Sequence, residues 1–255
     1  FVVFSFAMLI LSSVGVFALN ISGVPSVSSF KNGQVAIPFG GENSLVKGLV
    51  GYYKLDDGAT GYAINEVGSD AINLGATTGV YGVVNTGFDF YGSANEYVDT
   101  STIIGAETSI SFWMYPYSNS DIFGTIESAT NKDGYSGVYE NGFFSVYYLS
   151  NNQFVNVVSV DIGSQVASPF GVHIVLTINS SNYVSVYVNG NKVVPSTYNW
   201  MVPSSVHDRP LVIGAYRENA VVSFDGRLDE FGVWDRALGA SEVSKLYNNH
   251  LGLTY

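Results

Sequence analysis

An uncharged and mostly hydrophobic stretch occupies the first 19 positions of the chain. From Phe1 to Leu19 there is no charged residue, proline or asparagine. As a helix, about 19 residues would be roughly 28 Å long, close to the thickness of the hydrocarbon core of a bilayer. A helix that is apolar on every side must be buried in lipid or among other helices. The pattern therefore predicts a buried N-terminal α-helix that ends at the Asn, Gly and Pro residues of positions 20–25.

Further along, the pattern changes to short segments in which apolar and polar residues alternate. Ser109–Tyr115 and Tyr183–Val188 both have this period of two, which is typical of strands. Asn141-Gly142 and Asn189-Gly190 each predict a two-residue hairpin turn. Many such segments with no helix between them indicate a sandwich of antiparallel sheets.

Two further regions complete the predicted organisation. Residues 20–47 are rich in Ser, Gly, Asn and Pro and predict a linker, whereas helical spacing reappears only at Ala240–Asn249. The predicted fold class is mainly β, with an N-terminal hydrophobic α-helix, an antiparallel β-sandwich and a short C-terminal helix. The expected domains are a hydrophobic helix over 1–19, a linker over 20–47 and a β domain over 48–255.

Composition narrows the classes of partner. The net charge of −11 would repel phosphate backbones, so nucleic acid is not an expected partner. There is no cysteine, which excludes a disulfide scaffold and a thiol nucleophile. Asn20 and Asn179 each begin an Asn-X-Ser sequon and are candidate N-glycosylation sites.

Three interpretations of the N-terminal segment stay open. A secretory signal peptide would be cleaved after Val16-Phe17-Ala18, and a retained segment would be a transmembrane anchor. The segment also resembles the N-terminus of a type IV pilin, whose apolar helix first lies in the membrane and later packs into a filament core. Bacterial pilins carry a glutamate at the fifth mature position, where this chain has Ser5, so the resemblance is to archaeal pilins. It implies filament-core packing by Phe1, Phe4, Phe6, Leu9, Leu11, Val14 and Phe17.

A second resemblance covers the remainder of the chain. The segments that carry it are Gly48–Asp56, Gly87–Gly92, Asn95–Asp99, Ile110–Pro116, His173–Thr177, Tyr187–Gly190, Ile213-Gly214, Phe224–Leu238, Ser241–Val243 and Leu246–Asn248. In this order they resemble a laminin G-like, concanavalin A-like jelly roll, a fold whose members often bind glycans. We therefore expect Trp113 and Trp234 to fill the core between two sheets, where large aromatic rings bury much apolar area.

The sequence predicts no enzyme. Asp229 and Glu230 are adjacent on a predicted strand, so they are expected to point to opposite faces and not to act as a carboxylate pair. Glycosidases of this fold use a Glu-x-Asp-x-x-Glu strand, and the chain has no such motif. No cofactor is required by the sequence, although jelly rolls of this type often hold calcium. Glu96 and Asp229 are the candidate calcium ligands, because calcium prefers oxygen donors.

Glycan binding is the activity that the second resemblance implies. Its candidate residues are aromatic side chains expected on exposed loops, namely Tyr135, Tyr198, Trp200 and Tyr216. Together the two resemblances predict the subunit of an extracellular, cell-surface filament. It would lie in the membrane before assembly, polymerise with copies of itself through its N-terminal helix and display a lectin-like domain for adhesion to glycans. The alternative is a membrane-anchored or secreted carbohydrate-binding protein that does not polymerise.

Overall fold

Alternating segments of the chain pair into antiparallel sheets in the computed structural model. The structure describes residues 44–126, 134–150, 153–169, 171–199, 210–217 and 223–253, with the backbone alone at 30–31, 34–35, 150 and 194–199. The predicted N-terminal helix, its seven filament-core residues and Asn20 lie outside the described residues. Two units divide the chain between Asn43 and Ser44. The division into 1–19, 20–47 and 48–255 stays a prediction.

The strands, in chain order, are β1 (Phe30–Lys31), β2 (Gln34–Val35), β3 (Leu49–Tyr53), β4 (Tyr62–Ala63), β5 (Ala71–Leu74), β6 (Thr77–Tyr81), β7 (Thr86–Tyr91), β8 (Tyr97–Ile103), β9 (Thr108–Pro116), β10 (Ser120–Gly124), β11 (Gly134–Glu140), β12 (Phe143–Ser150), β13 (Gln153–Asp161), β14 (Val172–Ile178), β15 (Tyr183–Val188), β16 (Asn191–Asn199), β17 (Pro210–Ile213) and β18 (Asp225–Trp234). The α-helices are α1 (Gly163–Val166) and α2 (Ala240–Tyr247).

Two large sheets form the unit that begins at Ser44. The first sheet has the order β13-β12-β11-β10-β17-β8-β5-β4, and the second has the order β16-β15-β14-β9-β18-β7-β6, with β3 also paired to β18. In the first unit, β1 pairs with β2. The predicted antiparallel β-sandwich is confirmed. Among the described residues, no helix has the length and apolar character needed to cross a membrane.

The inter-sheet core is built from the inward side chains of both sheets. Its fully buried aromatic members are Tyr53, Phe88, Phe90, Phe112, Phe123, Phe144, Phe224 and Phe231. Phe112 of the second sheet stacks on Phe231 at 5.4 Å between ring centroids and meets the edge of Phe123 at 5.8 Å. Burial of so much aromatic area provides the main driving force for closing the two sheets.

Both tryptophans named from the sequence lie outside that core, so this expectation is wrong. Trp234 packs on the outer face of the second sheet, in a separate buried cluster with Val243 and Leu246 of α2. Trp113 is buried on the same outer face, where its ring lies against His173 and Tyr247. The reason is that the C-terminal segment covers part of the second sheet, so that both faces of its central strands are buried.

The local signals for turns and for the C-terminal helix are confirmed. Asn141 and Gly142 have φ of 51° and 87°, and Asn189 and Gly190 have φ of 48° and 78°, as a type I′ hairpin requires. Helix α2 begins after Gly239, whose backbone N–H donates to the Glu242 carboxylate at 2.9 Å. It ends at Asn248, which is left-handed with φ of 46°.

Candidate functional site

A β-bulge in β18 places two consecutive carboxylates on one face of the second sheet. Asp229 pairs with Trp113 of β9, but the next paired residue on β18 is Gly232, opposite Ser111, so β18 carries one extra residue here. That residue lies at Glu230, where φ is +51°. Because Leu228 and Phe231 both face the inter-sheet core, Asp229 and Glu230 both lie on the outer face. The expectation that they point to opposite faces is therefore wrong.

Two cross-strand pairs form the floor of a cleft on this outer face. Arg227 lies opposite Tyr115, and Asp229 lies opposite Trp113. The cleft is completed by the turn after β6 and by the segment before β14. Its lining residues are Tyr81, Gly82, Val83, Trp113, Met114, Tyr115, Pro169, Gly171, Arg227, Leu228 and Asp229. The space between these residues is about 380 Å³ and includes open solvent.

Backbone amides hold the Asp229 carboxylate in place. Its Oδ2 accepts hydrogen bonds from the N–H groups of Val83 at 2.6 Å and Val84 at 2.9 Å. Its Oδ1 is buried and has no hydrogen-bond partner among the described residues. The side chain is only 4% exposed. Burial raises the pKa of Asp229 to about 7, the charge of Asp56 adds to this rise, and the two amide hydrogen bonds oppose it.

Glu230 lies beside Asp229 but is engaged elsewhere. The Tyr52 hydroxyl donates to its Oε2 in a short hydrogen bond. Burial raises the pKa of Glu230 to about 8, with further contributions from the charges of Asp229 and Asp56, while the Tyr52 hydrogen bond and the charge of Lys54 oppose the rise. Glu230 does not line the cleft. Of the two carboxylates, only Asp229 is among the described residues that line the cleft.

Arg227 is positioned by aromatic rings. Its guanidinium carbon lies 4.6 Å from the ring centre of Tyr115 and 5.9 Å from that of Tyr117, both within the range of cation–π attraction. Its Nη1 donates to the carbonyl of Tyr81 at 3.2 Å. Its Nε is buried and has no hydrogen-bond partner within the described part of the chain. The nearby Asp89 has its pKa raised by burial, an effect that hydrogen bonding to Tyr117 and the charge of Arg227 oppose.

The ring of Trp113 lines the cleft and packs against two further rings. Its centroid lies 4.9 Å from that of His173 and 5.8 Å from that of Tyr247. His173 Nε2 is 2.9 Å from the Ser111 hydroxyl oxygen. Burial lowers the pKa of His173 to about 3, so this imidazole is neutral at physiological pH. The cluster of Trp113 and His173 is therefore uncharged at physiological pH.

Two of the four predicted glycan-binding residues, Tyr135 and Tyr216, do not line the cleft. Tyr135 lies in β11 and is 3% exposed, with its ring 6.1 Å from that of Tyr148, so the expectation of an exposed loop ring is wrong there. Tyr216 is half-buried and stacks with Arg217 at 5.2 Å, away from the cleft lining. For Tyr198, the structure describes only the backbone, in β16. Trp200 lies outside the described residues.

The two candidate calcium ligands, Glu96 and Asp229, accept hydrogen bonds from different backbone amides. Glu96 is buried, and its Oε2 accepts from the N–H groups of Tyr91 at 2.8 Å and Ser93 at 3.3 Å. Asp229 accepts from its own loop amides, as described above. Within the described residues, no three His, Cys, Asp or Glu side chains group in a way that could hold a metal ion. Calcium binding by Glu96 and Asp229 stays a prediction.

The candidate glycosylation residue Asn179 lies in the turn between β14 and β15. Its Oδ1 accepts from the N–H groups of Ser181 and Tyr183, each at 3.0 Å. Glycosylation at Asn179 stays a prediction.

Arg227 and Tyr115 are site residues that the sequence did not predict. A usable signal was present, because Asp225, Arg227 and Asp229 alternate with Gly226 and Leu228 and so share one face of a strand. The bulge that adds Glu230 to this face has no comparable signal, since a left-handed glutamate is uncommon.

Comparison with known proteins agrees with this architecture. The family model described as the concanavalin A-like lectin/glucanases superfamily matches residues 90–244, which is more than half of the chain. A search of curated proteins finds no match. The predicted concanavalin A-like jelly roll is confirmed.

Two kinds of solved structure share the fold. The botulinum neurotoxin serotype D binding domain matches with a TM-score of 0.59 and 16% identity, over 81% of this chain and 52% of that one. A Trypanosoma rangeli sialidase in complex with 2,3-difluorosialic acid matches with a TM-score of 0.57 and 17% identity, over 81% of this chain and 34% of that one. The chain thus spans about half of the toxin domain and about a third of the sialidase. At these identities the likeness shows the fold alone.

Proposed function

Because the chain belongs to the concanavalin A-like lectin/glucanases superfamily, we propose that it binds carbohydrate in the cleft formed by Trp113, Tyr115, Arg227 and Asp229. The observation that carries the proposal is the pairing of aromatic and charged side chains across β9 and β18. A sugar has apolar C–H faces and hydroxyl edges. A site for it therefore needs aromatic surface beside a few fixed polar groups.

Tyr81 provides the accessible aromatic surface at the mouth of this cleft. It is 69% exposed and lines the cleft. Its backbone carbonyl accepts from Arg227, which ties this part of β6 to β18. A sugar ring that stacks on Tyr81 would thus lie within reach of the polar groups on β18.

The proposal is binding without catalysis. A glycosidase of the usual kind needs two carboxyl groups that flank the scissile bond. Asp229 lines the cleft, but its neighbour Glu230 is bonded to Tyr52 and does not. This arrangement supports a binding site over a hydrolytic one.

The wider setting proposed from the sequence is extracellular display. The superfamily membership and the structural relatives favour a carbohydrate-binding protein, the alternative above, over the filament subunit. Polymerisation and membrane insertion stay predictions that depend on Phe1 to Leu19, which lie outside the described residues.

A binding assay with the full chain in mild detergent tests the proposal. The wild-type chain is applied to an array of immobilised glycans, and hits are titrated by calorimetry. We expect Tyr81→Ala to weaken binding at least about tenfold, because the stacking surface is removed. The matched control is Tyr62→Ala, since Tyr62 is similarly exposed but lies on β4 of the first sheet. Absence of binding to every glycan would refute the proposal, as would equal affinity of the Tyr81 variant and the control.

A further inference from the structure

Asp229 Oδ1 and Arg227 Nε are two buried polar atoms of β18. Both residues line the same cleft, and neither atom has a hydrogen bond among the described residues. Buried polar atoms are nearly always hydrogen-bonded in folded proteins, because loss of water without a replacement is unfavourable. One is an acceptor when Asp229 is ionised, and the other is a donor.

We propose that the cleft selects an uncharged sugar residue, with Asp229 Oδ1 accepting from one hydroxyl group and Arg227 Nε–H donating to the oxygen of another. This inference rests on the carbohydrate-binding function proposed above and specifies the class of ligand. The two residues are two positions apart on β18 and share a face, so their Cα atoms lie about 7 Å apart. Hydroxyl groups on one sugar ring can span a donor and an acceptor at such a separation.

The charges around the cleft disfavour an acidic sugar. Arg227 is the one cationic side chain among the described residues that line it. Its guanidinium already stacks on Tyr115 and donates to the Tyr81 carbonyl. A ligand carboxylate or sulfate at this position would meet the negative charge of Asp229 when that group is ionised, at pH values above its pKa of about 7. A hydroxyl group meets no such repulsion.

The sialidase from Trypanosoma rangeli was solved with a sialic acid derivative, which is acidic. For the present chain the inference is the opposite preference, because its cleft is lined by one cation and one carboxylate and not by an excess of cations. The two ligand classes can therefore be separated directly by experiment.

The test uses the full chain and pairs of glycans that differ only in charge. Lactose, N-acetyllactosamine, mannotriose and cellotriose probes are each measured beside a sialylated, sulfated or uronic acid counterpart. We expect at least one neutral probe to bind tenfold or more tightly than its charged counterpart. Equal or tighter binding of the charged counterparts would overturn this inference and leave the proposed function intact. No binding to any probe, neutral or charged, would overturn the proposed function itself.

Asp229→Asn tests the role of the acceptor. The Asn oxygen would keep the two amide hydrogen bonds from Val83 and Val84, which places an NH₂ donor where Oδ1 was. We expect the affinity for the preferred neutral probe to fall at least tenfold, with the fold retained by circular dichroism. Arg227→Lys keeps the charge, removes the Nε–H and should lower the affinity several-fold. The control Asp161→Asn, an exposed carboxylate on β13, should stay within twofold. Wild-type affinity in a folded Asp229→Asn variant would overturn the assignment of Oδ1.

Discussion

Asp229 and Glu230 are consecutive in β18 and lie on the same face of it, because the backbone at Glu230 is left-handed. Each is 4% exposed, so two carboxyl groups are buried side by side. The folded state therefore favours their protonated forms, and the pKa values rise to about 7 for Asp229 and about 8 for Glu230. This relationship makes the stability of the protein depend on pH in a definite direction.

The pH dependence of unfolding is the first prediction. A carboxyl group whose pKa is higher in the folded than in the unfolded state stabilises the fold fully at pH values below its unfolded pKa, near 4. That stabilisation is lost as the pH rises to about 8. Glu230→Gln cannot ionise and keeps an acceptor for Tyr52. We expect the free energy of unfolding of the wild type to fall between pH 5 and pH 8. The fall in the variant should be smaller than that in the wild type by roughly 2–4 kcal/mol. Urea denaturation of both proteins at the two pH values measures this difference.

The exposed Asp161→Asn variant is the control for this comparison, and its pH profile should follow that of the wild type. Parallel profiles for wild type and Glu230→Gln would contradict the raised pKa of Glu230.

A second prediction concerns the attachment of α2 to the start of the jelly-roll unit. The Arg236 guanidinium donates to both carboxylate oxygens of Glu242, at 2.7 and 2.9 Å, and to the backbone carbonyls of Ser44 and Lys47. The Arg236 hydrogen bond holds the pKa of Glu242 at about 2. A carboxyl group whose pKa is lower in the folded than in the unfolded state stabilises the fold at pH values above its unfolded pKa, which is near 4.5 for Glu242. That stabilisation is lost as the pH falls toward 2.

Glu242→Gln should therefore be less stable than the wild type at pH 7, by about 1–3 kcal/mol, and the gap should narrow by pH 3. Thermal unfolding at the two pH values measures it. The matched control is Glu66→Gln, because the Glu66–Lys54 pair is more exposed to solvent and surface pairs contribute little. An equal loss in both variants, or a gap that does not change with pH, would be inconsistent with the Arg236 attachment.

The elements that the sequence predicted correctly depend on residues close together in the chain. Alternation showed which positions of β9 share a face, and the Asn-Gly pairs identified two hairpins. The position of Trp113 could not be read in this way, because alternation does not tell which face of a strand meets the other sheet. That depends on α2, which comes much later in the sequence and covers the outer face.

The candidate site was only partly predictable for the same reason. Asp229 was predicted only as a calcium ligand, and its neighbours in the cleft come from β6, β9 and the segment before β14. The bulge at Glu230 changes the direction of one side chain without a glycine or asparagine to mark it. The sequence around Tyr135 has the composition of a loop, but Tyr135 lies in β11 and is buried.

Gly214 gives a third prediction, about backbone conformation and close packing. Its φ is +85°, and a Cβ atom there would lie 2.4 Å from Cε1 of the buried Phe90 ring. Gly214→Ala should lower the free energy of unfolding by about 2 kcal/mol or more, because strain and overpacking add. Gly58→Ala is the control, since Gly58 has open space around its Cα and no left-handed φ. Equal midpoints of urea denaturation for the two variants would show that the site near Phe90 can relax.

Phe112 provides the last prediction, because it links the two sheets. Its ring stacks on Phe231 of its own sheet and meets the edges of Phe123 and Phe144 from the first sheet, with centroids 5.4 to 6.0 Å apart. Phe112→Ala would leave a cavity between the sheets and should lower the free energy of unfolding by about 3–5 kcal/mol. Phe154→Ala removes the same group from β13, where the side chain is 59% exposed, and should change stability by less than about 1 kcal/mol. If urea denaturation gave similar losses for both variants, closure of the sandwich would not depend on this aromatic cluster.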